Sequence, residues 1–129
     1  MYLKISELRL ERKEISREKA RIGSINTVLS QCNHVTERTQ LLEQLRKDSG
    51  VKIEALESHS RKLWNKIETR LIAENIYKDD ITAFQLRFYY LRDWGYIAKK
   101  YHISTDSIKK RLERISKSFV MIPDDEGVF

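Results

Sequence analysis

At 129 residues the chain has room for one ordinary domain, or a small domain with an extension, and its single proline and four glycines exclude an all-β fold, which needs many turns. Charged residues at 34% and apolar residues at 40% suit a folded chain with much exposed polar surface and exclude a disordered one. The net charge of +6 admits a polyanionic partner, and Cys32, the only cysteine, excludes an internal disulfide.

The opening stretch MYLKISELRLERKE has no unbroken apolar core of signal-peptide length, and no segment reaches the roughly 18 apolar residues of a membrane span. A cytoplasmic protein with no membrane partner is expected, bacterial or phage-encoded. In the first helical pattern Leu8, Ile15, Ile22 and Leu29 recur every seven residues, with partial support from Ile5 and Ile25. Glu11, Arg12, Glu18 and Lys19 interrupt the second apolar row, so the seam is narrow. The polar run SQCNHVTERTQ, residues 30–40, predicts a turn, and Gly23-Ser24 is a weaker point within the helix. A second helical pattern follows, with Leu42, Leu45, Leu56, Leu63, Ile67 and Leu71 on one side and Trp64 as an anchor. Asp48-Ser49-Gly50 predicts a break in it, because glycine favours a helix end. Seams this thin bury little alone. The expectation is an antiparallel or coiled-coil-like hairpin over residues 1–79 that also assembles with a second copy, a dimer being favoured.

Three capping residues then punctuate three short helices. Asp80 predicts the first, with Ile81, Phe84, Phe88 and Leu91 on one face. Asp93 predicts the second, WGYIAKKY, with Trp94, Ile97, Ala98 and Tyr101 inward. Ser104 predicts the third, with Asp106 favouring the positive end of the helix dipole and Ile108, Leu112, Ile115 and Phe119 inward. The fold class expected is therefore all-α. Positive charge is densest here, with nine Lys/Arg against four Asp/Glu in residues 80–119, whereas the last ten residues, VMIPDDEGVF, form an acidic tail.

Two helices joined as tightly as the last pair, with the small Ala98 where they cross, make a helix-turn-helix. DWGYIAKKYHISTDSIKKRLERI resembles the C-terminal helix-turn-helix of bacterial sigma factors, their region 4, and LRFYYLRD resembles the helix before it. The likeness covers about residues 81–119. Two positions depart from the family's pattern. His102 stands in the turn where glycine or asparagine is usual, predicting a left-handed conformation, and Arg111 stands where an apolar residue is common. Helical segments ahead of a sigma-like unit also resemble the small phage-borne or mobile-element transcription regulators of Gram-positive bacteria.

The resemblance implies that the last helix enters the major groove N-terminus first, with Thr105, Asp106, Lys109 and Lys110 at the base-contacting positions. Lysine donates to guanine, aspartate accepts from cytosine, and threonine does either or touches a thymine methyl. Arg92, Lys99, Lys100, Arg111 and Arg114 are candidates for phosphate contacts, which give register without sequence information. Tyr89, Tyr90, Tyr96 and Tyr101 offer stacking faces but sit at helical spacing beside Trp94, as core residues do.

The function expected is a sequence-specific regulator of transcription bound to double-stranded DNA in the bacterial nucleoid. An alternative from another class is an interaction module docking on RNA polymerase. A third is a small phage packaging subunit of the terminase type, although those carry the DNA-binding part first. Enzyme chemistry is not expected: there is no glycine-rich phosphate loop, and His34, His59 and His102 are scattered. Cys32 and His34 lack two further ligands at metal spacing, so no cofactor or metal is called for.

Overall fold

The computed structural model describes residues 3–32, 36–118 and 121–122. Two long helices come first, α1 (Ile5–Ser30) and α2 (Glu37–Ala73). Then follow α3 (Lys78–Phe84), a π-helical turn (Gln85–Tyr89), α4 (Trp94–Tyr101) and α5 (Thr105–Ser118). Outside the helices, β1 (Leu3–Lys4) pairs in parallel with β2 (Met121–Ile122), bringing the two ends of the described chain together. No helix of the described residues is long and apolar enough to cross a membrane.

α1 and α2 form an antiparallel hairpin. As the α1 partner advances from Glu11 to Asn26, the α2 partner retreats from His59 to Arg46. The turn falls in the expected polar run. Thr36 starts α2 with a reciprocal capping box, accepting from the Thr39 N–H at 3.3 Å while the Thr39 hydroxyl accepts from the Thr36 N–H at 2.8 Å.

The predicted break at Asp48-Ser49-Gly50 does not occur: α2 runs unbroken for 37 residues, about 55 Å. Glycine costs a helix interior about 1 kcal/mol. The flanking turns offset this, through Gln44 to Asp48 at 2.9 Å and through Ser49 and Lys52, both bound to α1. Gly23 lies likewise inside a continuous α1.

The seven-residue seam is real but uneven. Leu8 and Ile15 are buried, Ile22 and Leu29 are half-buried, and Ile5 and Ile25 are buried beside them. Leu45, expected inward, is exposed, as are Leu41 and Val51. Between Ile15 and Ile25 polar groups take over the interface. The Lys52 ammonium reaches Glu14 at 2.9 Å and Glu18 at 3.2 Å, Arg21 approaches Glu18 at 3.6 Å, and Glu18 itself is 3% exposed. Glu18 is held below the ordinary 4.5 first by a hydrogen bond from Ser49, against burial, with Lys52 and Arg21 adding. Glu14 is lowered and Lys52 raised chiefly by their mutual hydrogen bond.

A pH dependence follows. The two carboxylates bind protons more readily unfolded than folded, so their stabilisation is present above pH 4.5 and is lost as pH falls below it. Lys52 holds its proton more tightly folded, so its share is present below pH 10.5 and is lost as pH rises through its folded value. Urea midpoints measured by far-ultraviolet circular dichroism across pH should fall at both ends, and less steeply in a Lys52→Met variant.

The main core is not in the hairpin's middle but at its base. Ile5 and Leu8 of α1 and Trp64, Ile67 and Leu71 of α2 pack with Ala83, Phe84, Phe88, Trp94, Ile97, Ala98, Ile108 and Leu112. One apolar cluster thus spans the boundary expected at residues 79 and 80.

Three helix ends in this region close with a left-handed residue: Asn75 (φ 59°), Leu91 (φ 56°) and His102 (φ 55°). After Asn75 the Ile76 N–H returns to Leu71 O at 3.0 Å, and after His102 the Ile103 N–H returns to Ala98 O at 3.1 Å. The helix before Leu91 does not end regularly. Its last turn widens so that the Tyr90 N–H bonds Gln85 O and the Arg92 N–H bonds Leu86 O, leaving Leu91 off the face shared by Phe84 and Phe88.

Asp80 is not the cap it was expected to be. Tyr77 precedes the first helical residue, and Asp80 lies within the first turn of α3, buried and paired to Arg111 at 2.8 Å.

Candidate nucleic-acid interface

The densest basic part of the sequence folds as α4 and α5 joined by His102, Ile103 and Ser104. Asp93 begins α4, accepting from the Tyr96 N–H at 2.6 Å. His102 takes the left-handed conformation expected of it, which lets the chain turn without a further residue. Ser104 then begins α5, accepting from the Ser107 N–H at 3.1 Å. Ala98 is buried at the crossing with Ile97, Ile108 and Leu112.

Burying Ile108 and Leu112 fixes the roll of α5. At 100° per residue, Asp106, Lys110, Arg114 and Lys117 fall on the opposite side, and all four are exposed. Thr105, the first residue of the helix, is exposed as well. Glu113, beside this line, pairs with Lys117 at 3.1 Å.

Lys109 and Arg111 lie on the two flanks. The Lys109 ammonium sits 5.9 Å from the centre of the Trp94 ring, whereas Arg111 is held by Asp80. Of the four positions proposed for base contact, three are exposed and Lys109 leans over an indole. Arg111, proposed for phosphate contact, fastens α5 to α3 and is half-exposed. Beside that ion pair, Tyr101 is pushed above the ordinary phenol range by burial first and by Asp79 second. Lys99 and Lys100 are exposed on α4, and Arg92 stacks 5.3 Å from the Tyr96 ring centre. Tyr90 and Tyr96 are exposed, whereas Tyr89 and Tyr101 are half-buried.

A group of arginines outside the expected set lies beside this unit. Arg12 of α1 donates to Tyr89 O at 2.8 Å and to the Ser60 hydroxyl at 3.2 Å, and its guanidinium stacks 4.1 Å from the Tyr89 ring centre. Arg87, on the π-helical turn, stacks 4.5 Å from the Trp94 ring centre and donates to Arg92 O at 3.2 Å. Its pKa is lowered by burial first and by repulsion from Arg9 second, with Asp93 opposing. The sequence signal for this group was Arg12 on the seam side of α1, where an apolar residue belongs.

Cys32 is exposed at the end of α1, its thiol donating to Val28 O at 3.2 Å, and His34 lies outside the described residues. So do Phe119 and the acidic tail apart from Met121–Ile122. Among the described residues no group of three or more His, Cys, Asp and Glu is placed to hold a metal ion. No family model matches the chain, and neither a curated protein nor a solved structure matches it.

Proposed function

We propose that this chain is a sequence-specific DNA-binding regulator of transcription that uses α4 and α5 as a sigma region 4-like helix-turn-helix. The observation that carries the reading is the outer side of α5. It presents Asp106, Lys110, Arg114 and Lys117 in one exposed line, on a helix capped at Ser104 and anchored by Ile108 and Leu112. Such a helix offers base-reading groups toward its N-terminus and cations toward its C-terminus, as major-groove entry requires. Lys99, Lys100 and Arg92 supply phosphate contacts beside it. The hairpin serves as the arm that sets assembly, with exposed Leu41 and Leu45 offering an apolar surface to a second copy.

The test is selection of bound sequences from a random pool of duplex DNA at near-physiological salt, where non-specific binding has faded. Enrichment of a repeated half-site is expected, and its spacing reports the geometry of the assembly. If nothing is enriched while RNA polymerase co-purifies with the protein from nuclease-treated lysate, the domain is a docking surface. A ring-sized molar mass by light scattering would instead favour the packaging reading.

A further inference from the structure

Some cations of this protein are held by carboxylates and others by aromatic rings. Along the hairpin, Lys19, Arg21 and Lys52 each face a carboxylate across or along the helices. Around Trp94 the cations meet an aromatic ring instead. Among the described residues, the ion pairs within 4.0 Å include none of Arg9, Arg87, Arg92 and Lys109. Arg87 and Lys109 share the indole at 4.5 and 5.9 Å, so their charges are no farther apart than those two distances together. Arg9 lies one turn before Arg12 on the same side of α1, and Arg12 is bonded to the π-helical turn that carries Arg87. Burial first and repulsion from Arg9 second lower the Arg87 pKa, with Asp93 opposing.

Like charges brought together cost energy in a folded protein, and at Arg87 the attraction of Asp93 ranks behind the repulsion from Arg9. The Trp94 ring compensates the two cations beside it only in part, because ring attraction does not use their N–H donors. Arg87 Nε is buried with no hydrogen-bond partner. Stacking also fixes these side chains in advance, so little rotamer freedom remains to be lost on binding an anion.

Position selects the anion. An α-helix with its side chains is about 10–12 Å across and the major groove about 12 Å wide, so phosphates line both flanks of a helix lying in it. Lys109 is on one flank of α5, Arg87 shares the indole with it, and Arg9 of α1 acts on Arg87.

We propose that Arg9, Arg87 and Lys109 form a phosphate-binding site around the Trp94 indole, through which the first helix of the hairpin itself grips the DNA backbone. The proposal rests on the reading of α4 and α5 as the groove-entering unit. It adds α1 to the contact surface, so the hairpin is part of the DNA-binding surface as well as an arm for assembly.

Arg9→Gln in the full chain tests it, with binding to a fluorescent mixed-sequence duplex measured by anisotropy across a salt series. The slope of log affinity against log salt should fall by about one, the loss of a single phosphate contact. The thermal midpoint should hold or rise, because a repulsion is relieved, the sequence preference should stay unchanged, and Arg9→Lys should restore the slope. An unchanged slope in Arg9→Gln, in a protein whose binding is weakened by Lys110→Ala, overturns the α1 contact and leaves the reading of α5 intact. Failure of Arg9→Lys to rescue marks the effect as structural and also overturns it. Wild-type protein with no salt-dependent duplex binding removes the DNA-binding reading and this site together.

Discussion

Replacing Phe88 with alanine is expected to destabilise the whole described fold, hairpin included, by about 3–5 kcal/mol. Phe88 is 1% exposed and lies 5.6 Å from the Phe84 ring and edge-on at 6.5 Å to Trp94. Its cluster holds residues from α1, α2, α3, α4 and α5, so removing the ring opens a core that every helix shares. A domain of this size is stable by only about 5–15 kcal/mol, so the loss is a large fraction of the total. Because the cluster is shared, the loss should fall on one cooperative transition. Trp64 reports on α2 and Trp94 on α4, and single Trp→Phe variants separate their fluorescence. Urea titrations followed through each tryptophan and through circular dichroism should shift together in Phe88→Ala. A hairpin signal that keeps its wild-type midpoint while the Trp94 signal collapses would show residues 1–79 to be an independent unit, and the argument from the shared core would fall.

The second large effect is on binding. A Lys109→Ala/Lys110→Ala double variant is expected to lose specific recognition, by about a hundredfold or more, while its unfolding midpoint barely moves. Each well-placed base contact is worth about 1–3 kcal/mol of discrimination, and about 1.4 kcal/mol is a factor of ten. Lys110 is exposed and Lys109 contributes only a cation over an indole, so neither supports the core. The single variants should differ in kind. Lys110→Ala should relax the choice of base at one position, whereas Lys109→Ala should weaken all duplexes alike and reduce the salt dependence. Undiminished affinity of the double variant for a selected site would sink the groove assignment.

The arginines around Trp94 and Tyr89 change how the hairpin is understood. Arg12, carried on α1, binds two other parts at once: Ser60 of α2 and the carbonyl of Tyr89. It therefore ties α1 and α2 to the π-helical turn that carries Arg87. Scaffold and candidate interface are coupled by this charged side chain as well as by the shared apolar core.

Much of the local order was legible in the sequence. The caps at Asp93 and Ser104, the left-handed turn at His102, the buried face Ile108–Leu112 and the polar turn before Glu37 are each set by a residue and its near neighbours. Hydrogen bonds and steric limits within one turn of chain decide them, so a short window of sequence suffices. The antiparallel hairpin was legible for a similar reason, since a seven-residue seam has to find a partner and the turn supplies one.

What the sequence left open depends on residues far apart along the chain. Asp80 has the side chain of a cap, yet Arg111, from another helix, draws it into an ion pair. Gly50 reads as a helix end, yet Ser49 and Lys52 bind Glu18 on α1 and hold the helix through it. Leu91 fits a continuous apolar face until the π-helical turn shifts the backbone by one residue. Arg9 and Arg87 stand far apart in sequence and come together only because α1 packs on that turn. Local propensities are worth about a kilocalorie per residue or less, so a single buried ion pair or a shared aromatic core overrides them. The sequence by itself determined which segments are helical and which faces are apolar, because those follow from spacing and capping. Only the tertiary structure decided where the cations gather, because that depends on which faces are buried against one another.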